Sequence, residues 1–373
     1  VTEINRIEEL ARLFVFIADS DFHGHYPVYE QLARSIATDH ELLSFIDGAS
    51  AANTRRGRVP LLFFAATHDV VLRFPDSELF RCYRGESDAD LLAEFRQMVL
   101  DFSEVILSNM RTRSVQTNEV GRSAVLVPAF ARATRDVTSP VAFVEIGPSA
   151  GLNLFFDQFA ITVERNRTVL ERTGPRQSTV QLVCEVRGSI IPTFQSTAPL
   201  QGQRTGIDPN PIDVTNPDES RWLAACVWPG SPDRPQRLAA ALTIAKEHPP
   251  QLVQGDAVAE LPALISTISA DQHLVVFSTW ALAYINEEGR RSLTNALDAI
   301  GATRDCDLVC FEEPRFLEWL PPVTDGVSSF DPGTGTPTAL GLRSWRSGNR
   351  ESTALAVAHP HGRWIHWLED VHG

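Results

Sequence analysis

The sequence predicts an α/β protein: a mostly parallel sheet with an antiparallel C-terminal hairpin, preceded by a helical region. Three observations predict it. Residues 1–137 carry apolar side chains at helical spacing. From about residue 140 short apolar strand-like runs alternate with helix-like text, the pattern of βαβ units. The last runs, TALAVAHPHGRWIHWLED, read as a hairpin turning at His359 to Gly362. The expected division is a helical region over 1–137 and an α/β core over 138–373, with a strand-rich insertion near 160–200.

In the helical region, IEELARLFVFIADSDF, PVYEQLARSIATDHELLSFI and LLAEFRQMVLDFSEVILSNM each carry an amphipathic stripe, and Pro27 suits a first helical turn. The core opens with the buried strand VAFVEI (141–146), followed by GLNLFFDQFA as a helix. AITVE, TVLER, VQLVCEVRG and SIIPTF read as strands, and SRWLAACVW and LAAALTIAKEHP as helical text. QLVQGDAVAELPALISTI reads as strand, turn and helix. HLVVFS and DLVCFEEP are strands on either side of the helix EEGRRSLTNALDAIG.

Composition bounds the function. The chain has 373 residues, 43% hydrophobic and 21% charged, ordinary for a folded domain or two. Its formal net charge of −14 argues against a nucleic-acid partner, which needs a basic footprint. The cysteines Cys82, Cys184, Cys226, Cys306 and Cys310 are odd in number and scattered, so neither a disulfide framework nor a metal site is expected. No apolar stretch approaches the ~18 residues of a membrane span, and no signal-peptide core follows the N-terminus. A cytoplasmic protein acting on a small molecule, with no membrane partner, is the expectation.

In a doubly wound sheet, ligands sit outside the carboxyl ends of the strands, which directs attention to the loops there. After VAFVEI comes Gly147-Pro-Ser-Ala-Gly151. It lacks the Lys of a phosphate-binding P-loop, and Ser149 replaces the middle glycine of a dinucleotide fingerprint. Glu145 beside it disfavours phosphate and suits a cationic ligand. S-adenosylmethionine fits, having a sulfonium, an ammonium and no phosphate. The E-x-G-x-x-x-G pattern resembles motif I of Rossmann-like methyltransferases. RTGID, ending in Asp208, resembles their ribose-binding acid, although it lies about sixty residues past Gly147 rather than about twenty. Glu185, ending VQLVCE, is the other candidate for that role. Gly255-Asp256-Ala257 resembles the turn that takes the adenine amino group, and FSTWALAYI supplies Ser278, Trp280 and Tyr284. For Asp208 and Asp256 the bland alternatives are an Asx turn and a helix cap.

EIGPSAGLNL, RTGIDPNPIDVTNPDESRWLAACVWP, QGDAVAELP, AHPHGRWIHWL and TNEVGRSAVLVPAF together resemble the bacterial DUF2332 family over nearly the whole chain. The resemblance implies a methyltransferase-like core with a helical N-terminal region, and no substrate. On this reading Glu145, Gly147, Ser149, Gly151, Asn153, Asp208, Gly255, Asp256, Ala257 and Ser278 bind S-adenosyl-L-methionine. Asn118, Glu119, Arg122, Trp280 and Tyr284 face the substrate, with the helical region as a lid. The catalytic group is unknown, with Glu312, Tyr284 and His25 as candidates. Adjacent strand residues face opposite ways, so only one of Glu312 and Glu313 points inward. His273 reads as a surface residue.

GPSAG also spells G-x-S-x-G, the nucleophile elbow of serine hydrolases. Ser149 would be the nucleophile, with Asp307 or Glu312 and His359 or His361 completing a triad. A third possibility is a nucleoside-binding protein of the same fold without chemistry.

Overall fold

A computed structural model describes residues 3–49, 58–195, 202–231, 233–323 and 338–368. The end of the expected 160–200 insertion, residues 196–200, lies outside the described residues. The chain forms two compact units. One comprises Val1–Thr117 and Thr215–Ala239, the other Asn118–Val214 and Ala240–Gly373.

The first unit is helical. It contains α1 (Glu3–Ile17), α2 (Pro27–Ile36), α3 (His40–Ala49), α4 (Val59–Val71), α5 (Glu78–Arg84), α6 (Leu91–Asp101) and α7 (Ser103–Thr112). The stripe expected to run through PVYEQLARSIATDHELLSFI breaks between α2 and α3. LLAEFRQMVLDFSEVILSNM is likewise two helices, because Phe102 leaves the helical backbone at φ −120°. Helix α4 is buried on nearly every side, as a helix at the centre of a bundle must be. Phe63 and Phe64 of α4 pack edge-on against Phe14 and Phe95, and Tyr29 stacks on Phe64 at 4.4 Å. Asp69, buried in this helix, accepts hydrogen bonds from Arg73, Asn109 and Arg221. Arg221 comes from α9 (Pro217–Ala225), which returns to this unit late in the chain.

Helix α10 (Arg234–Glu247) leads the chain into the second unit, which also holds α8 (Ser123–Ala133), α11 (Ala257–Ser266) and α12 (Glu287–Gly301). Its single sheet has eleven strands: β1 (Val141–Ile146), β2 (Ala160–Arg165), β3 (Thr168–Thr173), β4 (Gln181–Arg187), β5 (Arg204–Asp208), β6 (Gln251–Gln254), β7 (His273–Thr279), β8 (Cys306–Glu312), β9 (Thr338–Arg346), β10 (Asn349–Ala358) and β11 (Trp364–Trp367). Their spatial order is β3-β2-β4-β11-β10-β9-β8-β7-β1-β5-β6. Strands β6, β5, β1, β7 and β8 are mutually parallel, and β8-β9-β10-β11 is an antiparallel meander. Counting only the parallel strands in chain order, the sheet reads third-second-first-fourth-fifth. The order reverses between β1 and β7, the switch point where such sheets bind ligands.

Strands β1, β7 and β8 are buried along their whole length, which explains why each reads as a continuous apolar run. Ala142, Val144 and Ile146 face a core shared with α11 and α12. Phe143 faces the other way, where Phe130 of α8 packs on Phe143, Phe156 and Phe277.

Three local readings need correction. The segment expected as a helix after β1 is a pair of 3-10 turns over Leu152–Gln158, interrupted at Phe155. Leu152 to Phe156 are all buried, so there is no solvent face to make an amphipathic helix, and the chain enters β2 almost at once. SIIPTF is not a strand: Gly188 turns the chain at φ 76°, and Pro192 has no amide hydrogen for a ladder. Finally, β9 has no counterpart among the expected strands, and β10 starts four residues before the hairpin text TALAVAHPHGRWIHWLED. Strands β2, β3 and β4 prolong the common sheet beyond β11.

Candidate functional site

The carboxyl ends of the five parallel strands carry nearly all the residues singled out from the core sequence. At the end of β1, Gly147 and Gly151 both have φ 69°, a left-handed backbone that favours glycine. A Cβ on Gly147 would lie 2.6 Å from the Ala281 side chain, so the loop after β1 and the loop after β7 touch there. Between the glycines, Ser149 has φ 55° and is buried. Its amide donates to Asp208 Oδ2 at 2.9 Å, while Asp208 Oδ1 accepts from Asn210 N at 2.8 Å. Asp208 thus makes the Asx turn and also holds the glycine loop. Because β5 adjoins β1, Asp208 occupies the second-strand position; Glu185 on β4 is separated from β1 by β11, β10, β9, β8 and β7. Glu185 accepts instead from Arg187.

Glu145 lies on the α8 face, 1% exposed, and its Oε2 has no hydrogen-bond partner among the described residues. Burial pushes its carboxyl up to about 8. The nearby Asp208 charge pushes the same way, and Asn153 and Arg122 pull against it. Asn153 is fully buried: its Oδ1 accepts from Ser123 Oγ at 2.9 Å, which orients the amide and leaves Nδ2 with no partner among the described residues. Asn118 Oδ1 accepts from Leu152 N, tying the segment before α8 to the turns after the glycine loop.

Glu119 and Arg122 sit on the short turn between Asn118 and α8, and both are buried. Glu119 Oε1 accepts from Gly121 N, and its Oε2 lies 3.6 Å from His361 Nδ1. Arg122 donates to the carbonyls of Thr279 and Pro360 and lies 5.8 Å over the Trp280 ring. The polar TNEVGR stretch therefore packs against both the loop after β7 and the His359–Gly362 turn.

Of the two adjacent carboxylates in FEEPR, Glu312 is the inward one. It is fully buried, and its Oε1 accepts from Ala281 N at 2.9 Å and Leu282 N at 3.2 Å. This fixes the turn at Trp280, whose φ is 56° and whose amide donates to Phe311 O. Burial pushes the Glu312 carboxyl up to about 7, against the two amides, Ser278 and Arg122. Glu312 Oε2 and Trp280 Nε1 are further buried polar atoms without a partner among the described residues. Ser278 is fully buried and donates to Cys310 Sγ at 3.6 Å. Tyr284 is 46% exposed in the following turn.

At the end of β6, Asp256 is an exposed N-cap of α11, accepting from Val258 N, and Ala257 turns into the core. Gly255 N donates to Asp208 O, joining this turn to the end of β5. His25 is an exposed residue of the helical unit.

The hydrolase constellation is not assembled around Asp307. That residue is level with Phe143, three places before the end of β1, and points its carboxylate at His273, Ser344 and Arg346. His273, expected on the surface, is buried; its Nε2 lies 2.6 Å from Asp307 Oδ2. This pair is separated by 34 residues and shares no motif, so only the parallel register of β7 and β8 reveals it.

The fold and these loops define a doubly wound α/β protein with a polar, partly unsatisfied site at its switch point. The chain belongs to the family described as "Uncharacterized protein conserved in bacteria (DUF2332)", whose sequence profile matches residues 11–367. No curated protein matches it in sequence. Among the described residues, no helix is long and apolar enough to cross a membrane.

Proposed function

We propose that the protein is an S-adenosyl-L-methionine-dependent methyltransferase acting on a small molecule. The observation that carries this reading is Glu145: a buried carboxylate with an unpartnered oxygen, at the switch-point end of the first parallel strand. Burying a carboxylate that Asn153 and Arg122 offset only in part is costly, so such a site favours a ligand that brings a cation.

Glu145 Oε2 would receive the ammonium of the cofactor's methionine portion, and Gly147 and Gly151 let the backbone approach it. Asp208 keeps spare acceptor capacity on both oxygens for ribose hydroxyls while holding the loop. Gly255, Asp256 and Ala257 would take the adenine end, and Ser278 lies on β7, between β1 and β8. The cofactor supplies an electrophilic methyl group on a sulfonium. The chain contributes position and exclusion of water, with Arg122, Trp280 and Tyr284 bordering the acceptor side. Glu312 Oε2, poised near neutrality, is the group here suited to take the acceptor's proton.

Titration calorimetry with S-adenosylmethionine and its demethylated product tests the reading. Micromolar binding that weakens at least about tenfold in Glu145→Gln supports it, a loss of roughly 1.4 kcal/mol. No binding to the wild-type protein sinks it. The left-handed Ser149 between two left-handed glycines also favours a second reading, a serine hydrolase. Covalent labelling of Ser149 by a fluorophosphonate would select that one.

A further inference from the structure

A cavity of about 280 Å³ opens in the second unit between α12, the ends of β7 and β8, and the segment that follows β8. Its walls are chiefly apolar: Leu297 of α12, Cys310 of β8, and Phe316 and Trp319 beyond it, with Ser278 on its inner side. At its rim stands Arg290. The guanidinium lies 5.0 Å over the Phe316 ring and donates through Nη1 to the Ile285 carbonyl, while Nε is buried without a partner among the described residues. The neighbouring Arg291 is engaged by Glu287, and Glu318 is an exposed rim carboxylate.

We propose that this cavity is a binding site for a small carboxylic acid with an aromatic or branched aliphatic body. The physical argument has two parts. A half-open, chiefly apolar space of this size holds roughly one substituted ring; an engineered cavity of about 150 Å³ already takes up benzene. Arg290 lines this cavity with a positive charge whose Nη1 alone is engaged by Ile285, and a carboxylate is the anion whose geometry meets a guanidinium. The acid's charged end therefore belongs at Arg290 and its apolar end against Leu297 and Cys310. Ile146 also lines this cavity, so the apolar end abuts the residue preceding Gly147. The assignment rests on the cavity and does not depend on the cofactor reading.

The test is calorimetric titration of the whole protein with phenylacetate and 4-methylpentanoate, with phenylacetamide as the uncharged match, in the absence of any nucleoside. Phenylacetate is expected to bind with a sub-millimolar Kd, an affinity well within reach of a ligand of this size. Arg290→Gln should weaken it at least tenfold and leave phenylacetamide unchanged. Thr294→Phe, which fills the cavity from α12, should abolish both, with amide NMR spectra reporting that each variant is folded. Equal binding of acid and amide to the wild-type protein, binding of the acid unaffected by either variant, or no binding of either acid at millimolar concentration would overturn the assignment. Repeating the titration with S-adenosylmethionine present keeps the two proposals separate, because either can fail alone.

Discussion

The Asp208 carboxylate accepts the Ser149 amide hydrogen at 2.9 Å, fastening the end of β5 to the strained loop after β1. The second oxygen of the same carboxylate closes its own turn on Asn210. Asp208→Ala leaves two amides without their charged acceptor and should cost about 2–3 kcal/mol, since hydrogen bonds to charged groups contribute about 1.5–3 each and water replaces part of them. Asp208→Asn retains one acceptor oxygen and should cost less. Urea denaturation of the two variants checks the order, and amide exchange at Ser149 should accelerate in both.

Glu145 gives a pH signature. Its carboxyl ionises near 4.5 in the unfolded chain and about 8 when folded, because burial favours the neutral form. The folded state therefore holds this proton more tightly. Its contribution to stability is complete below the unfolded value and is lost as pH rises through the folded one, with a slope of up to about 1.4 kcal/mol per unit. Glu145→Gln should remove that slope, so the variant gains on the wild-type protein from pH 4.5 to 8. Denaturation midpoints measured across the window decide it; parallel curves would contradict it.

The same proton should couple to ligand uptake. If a cationic nucleoside binds the ionised Glu145, its affinity should rise up to about tenfold per pH unit until pH nears 8. Calorimetry in two buffers of different ionisation enthalpy should then show proton release from the protein near neutral pH.

Two glycines separate backbone strain from crowding. Gly147 and Gly348 both have positive φ, but a Cβ would strike Ala281 at 2.6 Å at the first and meet nothing within 4 Å at the second. Gly348→Ala should cost about 1–2 kcal/mol from the left-handed backbone alone. Gly147→Ala should cost clearly more, and should disturb any ligand that uses the loop. Thermal unfolding of both variants makes the comparison.

Asp307 is a fully buried carboxylate that accepts from Ser344 and from the half-exposed Arg346 and lies against the His273 ring. Asp307→Ala should destabilise the protein by about 2–3 kcal/mol, because it leaves the buried His273 ring and the Ser344 hydroxyl without their charged acceptor while the half-exposed Arg346 can turn to water. If Ser149 proves reactive toward fluorophosphonate, its labelling in the folded variant should be unchanged, because Asp307 belongs to the amino end of the strands.

The parallel half of the sheet was legible because VAFVEI, HLVVFST and CDLVCFE are buried on both faces and admit few polar residues. The glycine loop was legible for a related reason: Gly147 and Gly151 mark a conformation that other residues seldom adopt. The helix expected after β1 failed because apolar text of that length does not distinguish a helix from tightly buried turns. Strand β9, with Gly341 in its middle and polar residues near its end, lacked a clean alternation. At the site, the sequence picked out Asp208 and Asp256 by type and offered an Asx turn and a helix cap for them, both of which form, but it could not tell that Asp208 also holds the Ser149 amide across the strands. His273–Asp307 and Arg290 owe their roles to neighbours far away in the chain or to a cavity built from several elements, and neither leaves a local signal.

Strand β11 has one further consequence, which concerns time. Its four residues, Trp364–Trp367, lie between β10 and β4, so among the described strands β11 is the one that joins β2, β3 and β4 to the rest of the sheet. On the ribosome, β4 is made long before β11. At about 5–20 residues per second the wait is roughly ten to thirty seconds, during which β4 has an open edge. The early strands must therefore be shielded or stay unpaired until the last one emerges, and the maturation of this wing is set by the arrival of Trp364–Trp367.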